Sequence, residues 1–227
     1  MIENHSGLRL YIDSVDRQHW AAYLPTGIFF GVTTNPKLLA AKGIEFKVST
    51  LATLAKDAFE LGAQEIHLQV WGKDSDQMLN VGRELSGIDE RVSVKIPITP
   101  EGIRSASQLI KQGIRVTLTA LHASDQALIA AALGSAYAAP YLGRMNDGGL
   151  QGLQEIIRME RILENLDSST RLLVASIRQI DDLVSLAENG LNTFTLLPSL
   201  IEDFLENDLT SLAAKSFQDA VDQGSQA

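Results

Sequence analysis

The 227-residue chain carries a net charge of −9, with 45% hydrophobic and 21% charged residues, which fits one large globular domain or two small ones. That balance supplies no broad basic face for a nucleic-acid backbone, and the absence of cysteine excludes disulfides, thiolate nucleophiles and cysteine metal sites. The stretch 1–7 lacks the positive end and apolar run of a signal peptide, and no apolar stretch approaches the ~20 residues of a membrane span, so a soluble cytoplasmic protein without membrane partners is expected.

Short apolar segments alternate with longer helical ones along the chain. The pattern predicts strands at 8–13, 29–34, 65–70, 92–98, 113–119, 136–142, 171–176 and 193–197. Helices are expected at 15–23, 36–41, 45–61, 75–85, 101–112, 124–133, 150–163, 180–189, 200–205 and 209–222. Gly62, Gly113 and Gly190 stop three of these helices, and Pro36 opens one. Eight strands, each followed by a helix, in one chain without a linker, point to a single (β/α)8 barrel domain over 1–227.

A barrel strand sends alternate residues outward onto helices and inward to the lumen. The alternation puts Leu8, Leu10 and Ile12 outside in the first strand, with Tyr11 and Asp13 inside. In the second, Phe30 and Val32 are expected outside, Thr33 and Asn35 inside. Ile66, Leu68 and Val70 oppose His67 and Gln69 in the third, and Val92, Val94, Ile96 and Ile98 oppose Ser93 and Lys95 in the fourth. Thr117, Thr119, Tyr137, Ala139, Tyr141, Val174, Ser176, Thr193 and Thr195 complete the inward set.

Asp13, Asn35, Gln69, Lys95, Thr119, Tyr141 and Ser176 thereby converge on the carboxyl ends of the strands, where barrel enzymes keep their chemistry. Each has a bland account by itself: Lys95 on an edge strand facing water, Asn35 or Asp13 as a helix cap, Thr119 as a strand former, Tyr141 as core filling. Their coincidence on one ring favours a functional site.

Desolvation disfavours the charged form of an amine, and a neutral lysine amine attacks carbonyls. Lys95 among branched apolar neighbours is therefore a candidate for Schiff-base catalysis, which makes or breaks carbon–carbon bonds without a metal or another cofactor. Asp13, Tyr141 and Thr119 can move protons, and Gln69 can orient a water. Arg144 and Arg178 fall just past strand ends, as solvated rim charges or, with Ser176, as a sugar-phosphate anchor. His5, His19, His67 and His122 are scattered, so no histidine metal cluster is expected.

The segments Tyr11-Ile-Asp13-Ser14, Gly31-Val-Thr-Thr-Asn-Pro36, Leu68-Gln69-Val70, Val94-Lys95-Ile-Pro-Ile-Thr99-x-x-Gly102, Pro140-Tyr-x-x-Arg144 and Ala175-Ser176-x-Arg178 resemble the transaldolase family, especially its small members, which include fructose-6-phosphate aldolases. The resemblance implies a class I aldolase barrel with Lys95 as the Schiff-base lysine and no cofactor. It implies that Asp13, Asn35 and Thr33 serve the hydroxyls of a dihydroxyacetone unit, and that Arg144, Ser176 and Arg178 hold phosphate. It also implies a homo-oligomer, pentamer or decamer, with the C-terminal helix in 206–227 reaching a neighbour.

Transferases of that family carry Glu and Phe where this chain has Gln69 and Tyr141. Its aldolases carry Gln and Tyr, with a Thr-Ala pair matched by Thr119-Ala120. The expectation is thus a fructose-6-phosphate aldolase, the alternative a transaldolase of the pentose phosphate pathway. The chain departs from the family pattern at Trp71, after the third strand, and at the end of its last helix.

Overall fold

The computed structural model describes residues 7–224, so the stretch 1–6, with His5, lies outside the described residues. From there β1 (Arg9–Asp13), α1 (Arg17–Tyr23), β2 (Phe29–Thr33), α2 (Pro36–Ala41), α3 (Val48–Glu60), β3 (Glu65–Gln69), α4 (Ser75–Ser86), β4 (Val92–Pro97), α5 (Pro100–Lys111) and β5 (Val116–Leu121) alternate. They are followed by α6 (Gln126–Leu133), β6 (Tyr137–Pro140), α7 (Leu142–Asp147), α8 (Gly152–Asn165), β7 (Arg171–Leu172), α9 (Ile180–Glu188), β8 (Thr193–Leu196), α10 (Pro198–Leu205) and α11 (Asp208–Gly224).

The strands pair in parallel in the order β7-β6-β5-β4-β3-β2-β1-β8. Beyond β7, the Val174 N–H donates to the Thr193 carbonyl at 3.0 Å and the Thr195 N–H to the Val174 carbonyl at 2.9 Å. These bonds draw the two ends of the sheet together, and the result is a (β/α)8 barrel with α11 as an extra C-terminal helix. Among the described residues no helix is long and apolar enough to cross a membrane.

Two buried layers follow from the strand alternation. Leu10, Ile12, Val32, Ile66, Leu68, Val94, Ile96, Val116, Leu118, Phe194 and Leu196 form the layer beneath the helices. Burying such a side chain is worth roughly 1.5–3 kcal/mol, so this layer is what clamps helices to sheet. Tyr11, Tyr137, Ala139 and Leu173 fill the lumen.

Phe30 and Val174 depart from the expected alternation. Phe30 lies in the lumen, its ring 5.7 Å from that of Tyr11, because Leu10 pairs with Phe29 while Tyr11 pairs with Gly31. That extra residue in β2 flips the side-chain phase. Val174 sits in the outer layer and Leu173 takes the inner position. β7 stops at Leu172 and Ser176 adopts φ +60°, which breaks the two-residue period and still turns Ser176 to the mouth.

Two glycines permit close approaches that any Cβ would block. A Cβ on Gly31 would lie 2.1 Å from the Glu65 carbonyl oxygen, and one on Gly102 would lie 1.9 Å from that of Pro97. The second contact seats α5 against the end of the strand that carries Lys95. Thr99 caps α5 by accepting from the Gly102 N–H, and Pro100 supplies a fixed φ at its start.

Candidate active site

A cavity of about 420 Å³ opens at the carboxyl ends of the strands. Asp13, Asn35, Gln69, Lys95, Tyr141, Arg144 and Ser176 all line it, joined by Lys37, Leu38, Ala175 and Leu197. A groove of about 540 Å³ beside Phe59 and Arg91 is larger, but it lies away from this ring of polar groups.

Lys95 points into the barrel from β4, with Gln69 and Thr117 as its register partners on either side, and is only 3% exposed. Its Nζ donates to the Thr34 backbone carbonyl at 3.2 Å. That bond aims the amine across the barrel toward the end of β2. No side-chain carboxylate is hydrogen-bonded to it among the described residues.

Asp13 ends β1, and its Oδ1 accepts from the Thr33 hydroxyl at 2.8 Å. Thr33 is fully buried and shares a second hydrogen bond with Thr195, which fixes its rotamer. Burial pushes the Asp13 carboxyl above the usual carboxylate range, outweighing the opposite pull of the Lys95 ammonium and the Thr33 hydroxyl. A carboxylate so placed is a stronger base than a solvated one.

Asn35 has both its bland role and a place in the cavity wall. Its Oδ1 caps α2, accepting from Lys37 N–H at 3.0 Å and Leu38 N–H at 3.1 Å. The cap consumes the oxygen and leaves the NH2 as the side chain's available donor at the cavity. Gln69, the last residue of β3, presents a neutral amide.

Thr119 and Tyr141 act as a pair, their hydroxyls 2.8 Å apart. Thr119 is buried behind Tyr141, which caps α7 and lines the cavity. After Thr119 the chain makes a bulge at Ala120, φ +64°, and the His122 ring packs edge-on at 5.6 Å from the Tyr141 ring. His122 thus touches a cavity-lining residue although no sequence period places it there.

The strand expected over 136–142 ends at Pro140, and the short helix α7, for which the sequence pattern predicts no element beyond Leu142, follows it. Leu142 and Met145 are buried where α7 packs on α8, so burial selects a helical turn here. This turn carries Arg144 to the cavity. Arg178 instead makes a two-pronged ion pair with Asp147, at 2.7 and 2.6 Å, and is absent from the cavity wall. Sequence reasoning missed Lys37, whose position one residue past a cap-proline pair gave no signal beyond an exposed charge.

The profile of the transaldolase/fructose-6-phosphate aldolase family matches residues 10–227. A protein named probable transaldolase from Hyphomonas neptunium is 31% identical over 210 residues, 92% of this chain and 95% of its own length. Another so named, from Aquifex aeolicus, is 30% identical over 92% of this chain and 94% of its own length. A solved mandelate oxidase variant with the monooxide FMN adduct shares the fold alone: TM-score 0.57 and 13% identity, over 85% of this chain and 64% of that longer one. With a family profile spanning nearly the whole sequence and relatives aligned end to end, the chain belongs to the transaldolase/fructose-6-phosphate aldolase family.

Proposed function

We propose that the chain is a Schiff-base aldolase that cleaves or forms fructose 6-phosphate, with dihydroxyacetone and glyceraldehyde 3-phosphate as the other partners. The observation that carries this reading is a buried lysine amine at the floor of a cavity walled by Asp13, Gln69 and Tyr141. The Lys95 amine adds to the ketose carbonyl, the carbinolamine loses water, and the iminium draws electrons from the adjacent carbon–carbon bond. As that bond breaks, Asp13 takes the proton of the neighbouring hydroxyl and the aldehyde phosphate leaves. The enamine then gains a proton on carbon, and water releases dihydroxyacetone and the free amine.

Tyr141, with Thr119 behind it, is the group assigned to the water-dependent step, with Gln69 orienting that water. Asn35 and Thr33 hold and orient the hydroxyl side. Arg144, Ser176 and Lys37 take the phosphate, while Arg178 reaches it only by leaving Asp147.

Transfer is the second reading, favoured by the names of the relatives. The same adduct on Lys95 would wait for an aldose phosphate acceptor, with fructose 6-phosphate or sedoheptulose 7-phosphate as donor. Glyceraldehyde 3-phosphate production from fructose 6-phosphate, with and without erythrose 4-phosphate, separates the two. Steady turnover and free dihydroxyacetone without acceptor support the aldolase; turnover only with acceptor overturns it in favour of the transferase.

A homo-oligomer, pentamer or decamer, belongs to the same proposal. α11 buries none of its own residues, and Leu209, Leu212 and Phe217 are 77%, 64% and 72% exposed. Their spacing places them within one broad face of the helix, which a neighbouring copy would cover.

A further inference from the structure

The amino end of the barrel, opposite the Lys95 cavity, holds a second cavity of about 510 Å³. Arg9, Arg115 and Arg171 line it together with Tyr137 and Ser169. Arg9 reaches across the barrel floor, and Arg171 bonds to the neighbouring start of β8. From β1, the Arg9 Nη1 donates to the Tyr137 hydroxyl at the start of β6. From β7, the Arg171 Nη1 donates to the Gly7 carbonyl, Asn192 Oδ1 and Thr193 Oγ1 at 2.8, 2.7 and 3.0 Å, on the side of β8 and β1. Arg115, just before β5, donates through Nη2 to Glu65. Among the described residues each guanidinium hydrogen-bonds through one nitrogen, and that of Arg9 also lies 4.5 Å from the centre of the Phe30 ring.

Among the described residues the three cations outnumber the carboxylates bonded to them. Glu65 is the one carboxylate bonded to any of the three among the described residues, and it is shared with two further groups. Its Oε1 accepts from Tyr11 at 2.8 Å and lies 2.7 Å from His67 Nε2, while Oε2 meets Arg115. Glu160 also interacts with Arg171, and burial beside Glu164 pushes its carboxyl up to about 7. A plug needed only for packing gains nothing from surplus like charges, which repel each other and cost desolvation. In a chain of net charge −9, this concentration of guanidinium groups around one cavity calls for a counter-ion.

We propose that this cavity is a second anion site, which takes the phosphate dianion of inorganic phosphate or of a small phosphate monoester. A tetrahedral oxyanion can accept from several guanidinium forks at once, whereas a planar carboxylate is filled by one or two. The Tyr137 hydroxyl adds a polar group to its wall.

Calorimetric titration with inorganic phosphate, and separately with glycerol 3-phosphate, tests the site. Arg144→Ala with Lys37→Ala removes both cations assigned to phosphate at the other end of the barrel, and should leave one binding event. Adding Ser169→Asp places a carboxylate in the basal cavity from an exposed position, without touching an arginine. It should weaken that event about tenfold through like-charge repulsion, and Arg171→Gln should do the same. Ser169→Asp alone should leave turnover unchanged, so this result and the aldolase assay fail or succeed separately. Tighter binding of glycerol 3-phosphate identifies a monoester ligand, and tighter binding of inorganic phosphate identifies the free ion. No binding to the Arg144→Ala, Lys37→Ala protein at millimolar phosphate, or equal affinity with and without both basal substitutions, overturns the site.

Discussion

The Tyr141 hydroxyl lies 2.8 Å from the Thr119 hydroxyl, at the edge of the cavity whose floor is Lys95. A phenylalanine at 141 would keep the ring and its contact with His122 but lose that proton relay. If the pair serves hydrolysis of the adduct, Tyr141→Phe should cut dihydroxyacetone release about tenfold or more. Combining it with Gln69→Glu should raise the share of turnovers that end on erythrose 4-phosphate. Product ratios measured with and without acceptor check this, and unchanged partitioning in both variants removes the chemical basis for preferring release.

Lys95→Met should abolish turnover and leave a folded barrel. Methionine fills a similar volume and discards only the amine, and the bond it loses is a single one to the Thr34 carbonyl. Borohydride reduction in the presence of fructose 6-phosphate should add a dihydroxyacetone-derived mass to the wild type and nothing to the variant. A labelled Lys95→Met protein, or one that keeps more than a trace of activity with native circular dichroism, would move the Schiff base to another residue.

The sequence made the inward ring legible where strands are regular. Gln69, Lys95 and Thr117 sit in one register row, so a two-residue period locates them without any tertiary information. It failed at Phe30 and Val174, where a bulge and the short β7 shift the phase, and neither carries a local residue signal. Arg144 and Arg178 read as equivalents in the sequence because each follows a strand end. Only the fold distinguishes them, by giving Arg178 the Asp147 carboxylate and Arg144 the cavity. The basal arginines were invisible because they come from separate strands and meet only when the barrel closes.

Phe217→Asp and Leu212→Asp should convert the oligomer proposed above to smaller species. Both side chains are solvent-exposed in the single chain, so a charge there costs the isolated barrel little. The same charge buried against a neighbour would cost several kcal/mol. Light scattering on the wild type and the double variant reads the mass directly. Equal masses would mean that α11 does not hold subunits together.

Asp13→Asn should lower kcat about a hundredfold or more, because the amide cannot accept the hydroxyl proton, and should raise stability at neutral pH. The sign follows from the raised carboxyl. The unfolded chain releases this proton near the ordinary carboxylate value of about 3.9, while the folded chain keeps it to higher pH. Between those two values the folded state binds the extra proton, so stability falls as pH rises, and above the folded value the full penalty persists. Asparagine removes the charge and can keep the 2.8 Å bond by accepting from Thr33 through its oxygen. Melting temperatures of wild type and variant should therefore coincide below about pH 3.9 and diverge above it, with the variant higher. Equal melting temperatures at pH 7 would mean that burial does not destabilise the Asp13 carboxylate, and with it would go the argument that burial makes Asp13 a strong base.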